Sequence, residues 1–372
     1  MMGAAPRATA VLAVAVGLLA IAAPAAEPVD PAYREIVELY ARGERAAALA
    51  GLARFTDSEL AQVSQAVQAS VVAARRAKAS KPPLPLRAAT MLHLDLDEAS
   101  RPEAVEREQP RRCPGPQARI AARYAGLLSW SEDGRDFARR FFVALAHRSQ
   151  WDACLADAER WAREGLELFP RDAELLLAAG SALEEHATLS SGGPTVATLA
   201  MSFPHPRTTR VAGVDRDAQY RQARDFLAEA VAADGGLILA KVRLGRVRWR
   251  LGERDAARAV LADAASRSAD PQLVYLAHLF LGQVHEDSGR LEPAVEQYRL
   301  ALSLAPTAQA AAVALAHALG RAGKAEEARE VLGRALAHAG RRPRRDPYWD
   351  YLMNNALHVQ DRLAALRRES LE

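Results

Sequence analysis

The chain has 372 residues, enough for two globular domains or one long repeat array. Half of the residues are hydrophobic but only 6% are aromatic, and Ala, Leu, Arg and Glu outweigh the β-branched and aromatic residues that strands need, which argues against a β-rich fold. Lys plus Arg number 49 and Asp plus Glu 46, a net charge of +3 with the two signs interleaved, which argues against a nucleic-acid binder with its concentrated basic stripe.

At the N-terminus, Met1 to Arg7 is short and positive, Ala8 to Ala22 is apolar, and Ala23-Pro24-Ala25 offers small residues for cleavage. The three parts together read as a secretory signal peptide over residues 1–25, cut after Ala25, and so predict an exported, periplasmic or extracellular chain. The apolar run is short for a bilayer span of about 20 residues, so an uncleaved anchor is the lesser alternative, and the mature chain is expected to carry no membrane span. Cys113, the first cysteine, lies far from the signal region, which argues against a lipid anchor.

Residues 26–138 read as an irregular helical region with proline-rich loops. Pro31 to Phe55 has helix-turn-helix character, with Tyr33, Tyr40, Gly43, Ala48 and Leu52 as landmarks. Thr56-Asp57-Ser58-Glu59 has the form of a capping box that opens a helix toward Arg75. Lys81 to Pro85 interrupts, Leu86 to Asp97 is the next predicted helix, residues 99–117 are a charged, proline-rich loop, and Gln117 to Trp130 is helical again. His93-Leu94-Asp95-Leu96-Asp97-Glu98 gathers an imidazole and three carboxylates. One His93/Asp97 pair at i, i+4 falls short of a metal site, so the cluster is expected on a helix surface.

Cys113 and Cys154 are the two cysteines. In an oxidising compartment they can bridge, and otherwise they can serve as small buried hydrophobes. A zinc site is disfavoured, because it takes four ligands and only His147 lies nearby to join them.

An internal period runs through residues 139–342. Gly245, Gly282 and Ala316 are each followed seven residues later by Gly252, Gly289 and Gly323, then five later by Ala257, Ala294 and Ala328, and seven later by Ala264, Ala301 and Ala335. A bulky residue, Leu261, Tyr298 or Leu332, sits between each pair of alanines. Small residues let two antiparallel helices approach, and the second glycine allows the left-handed turn between them. Pro170 and Pro306 both stand ten residues ahead of a crossing-point residue, Gly180 and Ala316. The units fall at Arg139–Asp172, Ala173–Leu237, Ile238–Val274, Tyr275–Ala308 and Gln309–Arg342. The second is split by an insertion, Thr188 to Gly213, rich in Ser, Thr, Gly and Pro yet carrying Leu199, Met201 and Phe203; it is either a binding element or a loop packed on its own repeat. Asp270-Pro271 reads as an N-cap with proline in the first turn. After the basic run Arg341 to Arg345, read as a connecting loop, residues 343–372 predict a pair of capping helices, Pro347 to Asn355 and Gln360 to Arg368.

These residues resemble the tetratricopeptide repeat, a helix-turn-helix unit. The resemblance implies an all-α solenoid wound as a right-handed superhelix, with less regular helices ahead of it. It also implies a groove lined by the first helix of each unit, where the family binds proteins or peptides. Carried over by position, the lining is Arg246, Trp249 and Arg250, then Gln283, Glu286 and Asp287, then His317 and Arg321. Ser181, Glu184 and Glu185 stand at the matching places one unit earlier, so charge alternates in blocks along the groove. Arg246 and Arg250 on either side of Trp249 suit a carboxylate or a stacked ring. The Lys-Asn clamp of the family's chaperone-tail binders is not implied, because Val242 and Arg246 stand in its place.

Nothing in the sequence points to catalysis or to a cofactor. Ser191-Gly192-Gly193-Pro194 lacks the lysine of a phosphate loop, and no nucleophile elbow or zinc-protease motif occurs. His278 and His285 share a helix face without an acidic partner of catalytic spacing. The leading expectation is therefore a non-catalytic, exported scaffold for an unknown protein or peptide. A structural component of an envelope complex is one alternative. A ligand-binding or enzymatic N-terminal region is the other, and would require a deep pocket around His93 or Cys113.

Overall fold

A computed structural model describes residues 29–77, 82, 84–100, 113–190, 215–339, 346–352 and 358–371. The signal segment 1–25, insertion residues 191–213 and the Arg341 to Arg345 run lie outside the described residues. All regular structure among the described residues is helical. The helices are α1 (Pro31–Ala41), α2 (Arg45–Leu52), α3 (Asp57–Arg76), α4 (Leu86–Ala99), α5 (Pro116–Leu127), α6 (Glu132–Trp151), α7 (Leu155–Leu168), α8 (Ala173–Ser190), α9 (Arg216–Ala233), α10 (Ile238–Arg250), α11 (Arg254–Arg267), α12 (Pro271–Asp287), α13 (Leu291–Leu304), α14 (Gln309–Arg321), α15 (Ala325–Ala339), α16 (Pro347–Leu352) and α17 (Val359–Glu369). A short 3-10 turn, Leu128–Trp130, follows α5.

Local chemistry sets the ends of these helices. The Thr56 hydroxyl accepts from the Glu59 backbone N–H while the Glu59 carboxylate accepts from the Thr56 N–H, a complete capping box at the start of α3. Asp270 accepts from the Gln272 N–H at 2.8 Å, with Pro271 in the first turn of α12, where its missing N–H costs nothing. The turn between α12 and α13 is made by Gly289 at φ +72°, which a residue with a Cβ resists. Ala153 holds the equivalent turn between α6 and α7 at φ 61° without that freedom.

The crossing points are tight for the reason the small residues suggested. A Cβ added to Gly282 would stand 2.3 Å from the Tyr298 ring, and one added to Gly245 would stand 2.4 Å from Leu261. Gly180 meets Leu227 in the same way, at 2.6 Å. From α6 to α15 each helix packs on the next, and α6, α8, α10, α12 and α14 also touch in succession. These five therefore form one wall of the array, with α7, α9, α11, α13 and α15 behind them. Three apolar clusters run along the stack, within residues 29–179, 176–247 and 242–351, the first also taking in Val359, Leu363 and Leu366.

The last two helices depart from the expected capping pair. Instead of closing the array beyond α15, α16 packs on α12, and α17 lies against α6 and α4 near the other end. Val359, Leu363 and Leu366 are buried with the N-terminal core. One consequence is that α15 keeps Leu332 and Leu336 exposed, at 38% and 72%.

The His93 cluster also departs from its expected place on a helix surface. His93, Asp95 and Asp97 are all buried on α4. The His93 Nδ1 donates to Gln117 Oε1 at 2.7 Å, which leaves Nε2 to accept from the Tyr33 hydroxyl at 2.9 Å, the pattern of a neutral imidazole. Burial, only partly offset by the Gln117 hydrogen bond, lowers the His93 pKa from 6.5 to about 4. Asp97 accepts from the Gly115 N–H at 2.8 Å, at the start of α5, and so acts as a structural cap.

Candidate functional site

The wall made by the first helices is where the predicted site residues fall, and the structure sorts them into three groups. Arg246 on α10 is buried, and its guanidinium donates to Glu184 Oε1 on α8 at 2.5 Å. Arg243, one turn earlier, donates to the other carboxylate oxygen of Glu184 at 2.8 Å. The hydroxyl of Tyr351 on α16 donates to Glu184 as well, and the Tyr351 ring lies 4.5 Å from the Arg243 guanidinium and 5.5 Å from that of Arg246. Burial disfavours the charge on Glu184, but the two guanidinium charges and the hydrogen bonds outweigh it and hold the carboxyl below its usual range. The side chain of Arg246 is thus committed to a carboxylate and a ring of its own chain.

A second group lies at the C-terminal ends of α10 and α12. The Trp249 indole N–H donates to Asp287 Oδ2 at 2.6 Å, and the Arg250 guanidinium stacks 4.7 Å over the Trp249 ring. Arg250 and Asp287 remain exposed and Trp249 half-buried. A third group joins α12 to α14. Glu286 is bonded to His317 Nδ1 at 2.6 Å and accepts from Arg321 at 3.1 Å and from the Tyr298 hydroxyl at 2.8 Å. His317 and Arg321 are exposed. The Gln283 side-chain oxygen is buried and has no hydrogen-bond partner among the described residues. The alternating charge blocks therefore answer one another between neighbouring repeats.

Two residues that the sequence did not mark, and a third weighed there only as a zinc ligand, belong with this wall. Arg243 is visible only as part of a basic block. Tyr351 arrives from 167 residues beyond Glu184, with no local signal to place it. His147 on α6 is buried beside Arg362 and Glu174, and neither ring nitrogen has a hydrogen-bond partner among the described residues. Of the other histidines weighed, His278 is bonded to Gln297 Oε1 at 2.8 Å and His285 is buried.

Around His93, the side chains of Tyr33, Gln117 and Tyr124 fill the enclosed space. Cys113 is joined to Cys154 by a disulfide, with the Cα atoms 5.4 Å apart, tying the approach to α5 to the start of α7. The sulfurs sit near Asp157, but a bonded pair cannot offer two thiolates to a metal. No helix among the described residues is long and apolar enough to cross a membrane.

Helix pairs stacked in succession, with small residues at each crossing and one wall made of first helices, define a helix-turn-helix repeat solenoid. Residues 275–307, which span α12 and α13, match the tetratricopeptide repeat family. The match covers one unit of this stack, the pair α12 and α13. Among solved structures it is similar to MamA from Desulfovibrio magneticus RS-1, at 18% identity over 54% of this chain and 93% of that one, with a TM-score of 0.39. It is also similar to PilF of Pseudomonas aeruginosa, at 17% identity over 63% and 90%, with a TM-score of 0.44. A further likeness is to YrrB, described as a tetratricopeptide-repeat protein with an unusual peptide-binding site, at 18% identity over 58% and 90%, with a TM-score of 0.37. No curated protein matches the chain.

Proposed function

We propose that this protein is an exported, non-catalytic scaffold that holds a protein or peptide on the wall formed by its first helices. The observation that carries the reading is that wall itself. Arg250, Asp287, His317 and Arg321 remain exposed along α10, α12 and α14, fixed in place by Trp249 and Glu286. Preset charged groups on rigid helices can recognise a partner with little ordering cost. The predicted signal peptide supports export. So does the Cys113–Cys154 bridge, since disulfides persist in oxidising compartments.

The test is site-specific photocrosslinking from position 250 or 317 in the native envelope, with crosslinked species identified by mass spectrometry. A discrete protein adduct at both positions, absent from a probe placed on α13, is the expected result. Retention of a small molecule with no protein adduct would instead favour a ligand-binding N-terminal region.

A further inference from the structure

The first-helix wall is already occupied near its N-terminal end, by the chain's own last helix. On α17, Val359, Leu363 and Leu366 share one face at i, i+4 and i+7 and are buried against the N-terminal core. Beside that face, Arg367 donates to Asp95 at 2.8 Å and to Glu98 at 2.6 Å, and Arg362 donates to Glu174 at 2.8 Å. Two of the three carboxylates sit on α4 and the third, Glu174, at the start of α8. An apolar stripe flanked by arginines thus meets an apolar floor flanked by carboxylates, the arrangement by which a groove takes an amphipathic helix. One pairing at the end of α17 has the opposite sense, Glu369 against Arg140 and Arg87.

Two physical features make this occupant exchangeable. At 11 residues, α17 is too short to be a stable helix by itself, so it is ordered only while seated. Two of the polar links that hold it, Arg362 with Glu174 and Arg367 with Glu98, join half-buried side chains at the edge of the seat, where water can replace them, while Arg367 also reaches the buried Asp95. Segments of this kind open locally before the whole molecule unfolds.

We infer that the surface of α4, α6 and α8 is a docking site for a basic amphipathic helix of a partner protein, and that α17 is the intramolecular ligand holding it closed. The partner's helix carries apolar residues at i, i+4 and i+7 with arginine or lysine beside them, matching Asp95, Glu98 and Glu174. It competes with α17 instead of binding next to it. This inference rests on the scaffold reading and specifies the chemistry of the segment that is held.

The competition has an expected size. A tethered segment has an effective concentration on the order of 1 mM, so with an intrinsic Kd of about 10 µM for its seat α17 would hold off any free helix roughly a hundredfold. The experiment uses the full chain and a fluorescein-labelled peptide with the sequence of residues 358–371 as probe, read by fluorescence anisotropy. Leu363→Asp with Leu366→Asp unseats α17. That variant is expected to bind the peptide at least about tenfold more tightly than the native chain, and adding Glu98→Lys and Glu174→Lys is expected to remove the gain. Equal binding by the native and unseated chains, or none by a folded unseated chain, overturns the inference. If the double variant does not fold, Arg362→Glu with Arg367→Glu, which keeps the apolar contacts, carries the same comparison.

Hydrogen exchange on the native chain is an independent arm. Amides of residues 359–369 should exchange at least about a hundredfold faster than those of 141–146 in α6. Exchange of both at one common rate means that α17 opens only with global unfolding and overturns the inference. A native dimer dissociated by the peptide would make the occupant a second copy of this chain, and would overturn the partner assignment. Protein adducts at positions 250 and 317 without peptide binding leave the scaffold reading standing and remove this inference. Peptide binding without adducts does the reverse.

Discussion

Arg367 on the last helix lies 2.8 Å from Asp95 on α4, across 272 residues of sequence. Asp95 is fully buried and also accepts from the Tyr40 hydroxyl at 2.7 Å and from Arg45 at 2.6 Å. A carboxylate removed from water is stable only while its oxygens are answered by such donors. Arg367→Ala takes away the donor to one oxygen and leaves Tyr40 and Arg45 on the other. The expected loss is about 1.5–3 kcal/mol, the range for a hydrogen bond to a charged group. A double-mutant cycle with Asp95→Asn, followed by urea unfolding, checks it. A coupling energy near zero would show that the two ends of the chain are not joined through this pair.

Glu184 presents a stronger dependence, because its partners Arg243 and Arg246 are buried with it. Glu184→Gln keeps the shape but leaves the buried Arg246 guanidinium without a carboxylate partner and Arg243 with only Glu185, at 3.5 Å. Breaking a buried pair in this way costs about 3–5 kcal/mol. The depressed carboxyl pKa adds a pH signature. Stability from Glu184 is present above the unfolded glutamate value near 4.5 and is lost as pH falls below it, through the folded value. Acid unfolding should therefore be less steep below pH 4.5 in the Gln variant than in the native chain.

The buried imidazoles act in a higher window. Burial lowers His93 from 6.5 to about 4, and burial with the nearby Arg362 charge lowers His147 to about 3. Between pH 6.5 and those values the unfolded chain binds protons that the folded chain refuses. Stability is then complete above pH 6.5 and falls as pH drops toward 4, by on the order of 3 kcal/mol for His93 alone. Since neither His147 nitrogen has a hydrogen-bond partner among the described residues, His147→Leu should raise stability at pH 5 and flatten the slope. Denaturant titrations at pH 5 and pH 7.5 test this, and an unchanged slope would count against it.

The disulfide makes a prediction by chain length alone. Cys113 and Cys154 are 41 residues apart, and closing a loop of that size stabilises the folded chain by roughly 4 kcal/mol on the chain-entropy estimate. Reduction, or Cys113→Ser with Cys154→Ser, should lower the unfolding midpoint accordingly while leaving far-UV circular dichroism unchanged. Mass mapping of alkylated, unreduced protein gives the direct test: two alkylated thiols would show that no bridge exists.

What was legible in the sequence follows the range of each interaction. Repeat spacing could be read because the crossing-point glycines and their bulky partners belong to the same helix pair, sixteen residues apart for Gly245 with Leu261 and for Gly282 with Tyr298. Thr56 and Asp270 were legible for the same reason, each capping within three residues. His93 was not, because Tyr33 and Gln117, which enclose it, stand 60 and 24 residues away. The blocks of charge at Glu184, Arg246 and Glu286 were visible, but whether they face a partner or one another depends on how closely successive first helices pack. As for α17, its stripe of Val359, Leu363 and Leu366 announces an apolar face without naming the wall that receives it. Ala153 hid a turn that elsewhere carries glycine.

The crossing at Gly282 is the sharpest test of the stacking. Its missing Cβ is replaced by the Tyr298 ring, whose Cε1 would be only 2.3 Å from an added methyl. The ring is fully buried, and its hydroxyl donates to Glu286 at 2.8 Å, so it cannot swing aside without losing both packing and that bond. Gly282→Ala gains helix propensity of up to about 1 kcal/mol, yet overpacking of this kind costs about 1–3 kcal/mol, so the net change is expected to be destabilising. Gly282→Leu should be worse. At Gly320, by contrast, nothing lies within 4 Å of an added Cβ, and Gly320→Ala near the end of α14 should be neutral or stabilising. If the two alanine variants shifted the thermal midpoint alike, the difference would not come from contact with Tyr298, and the close approach of α12 to α13 would lose its support.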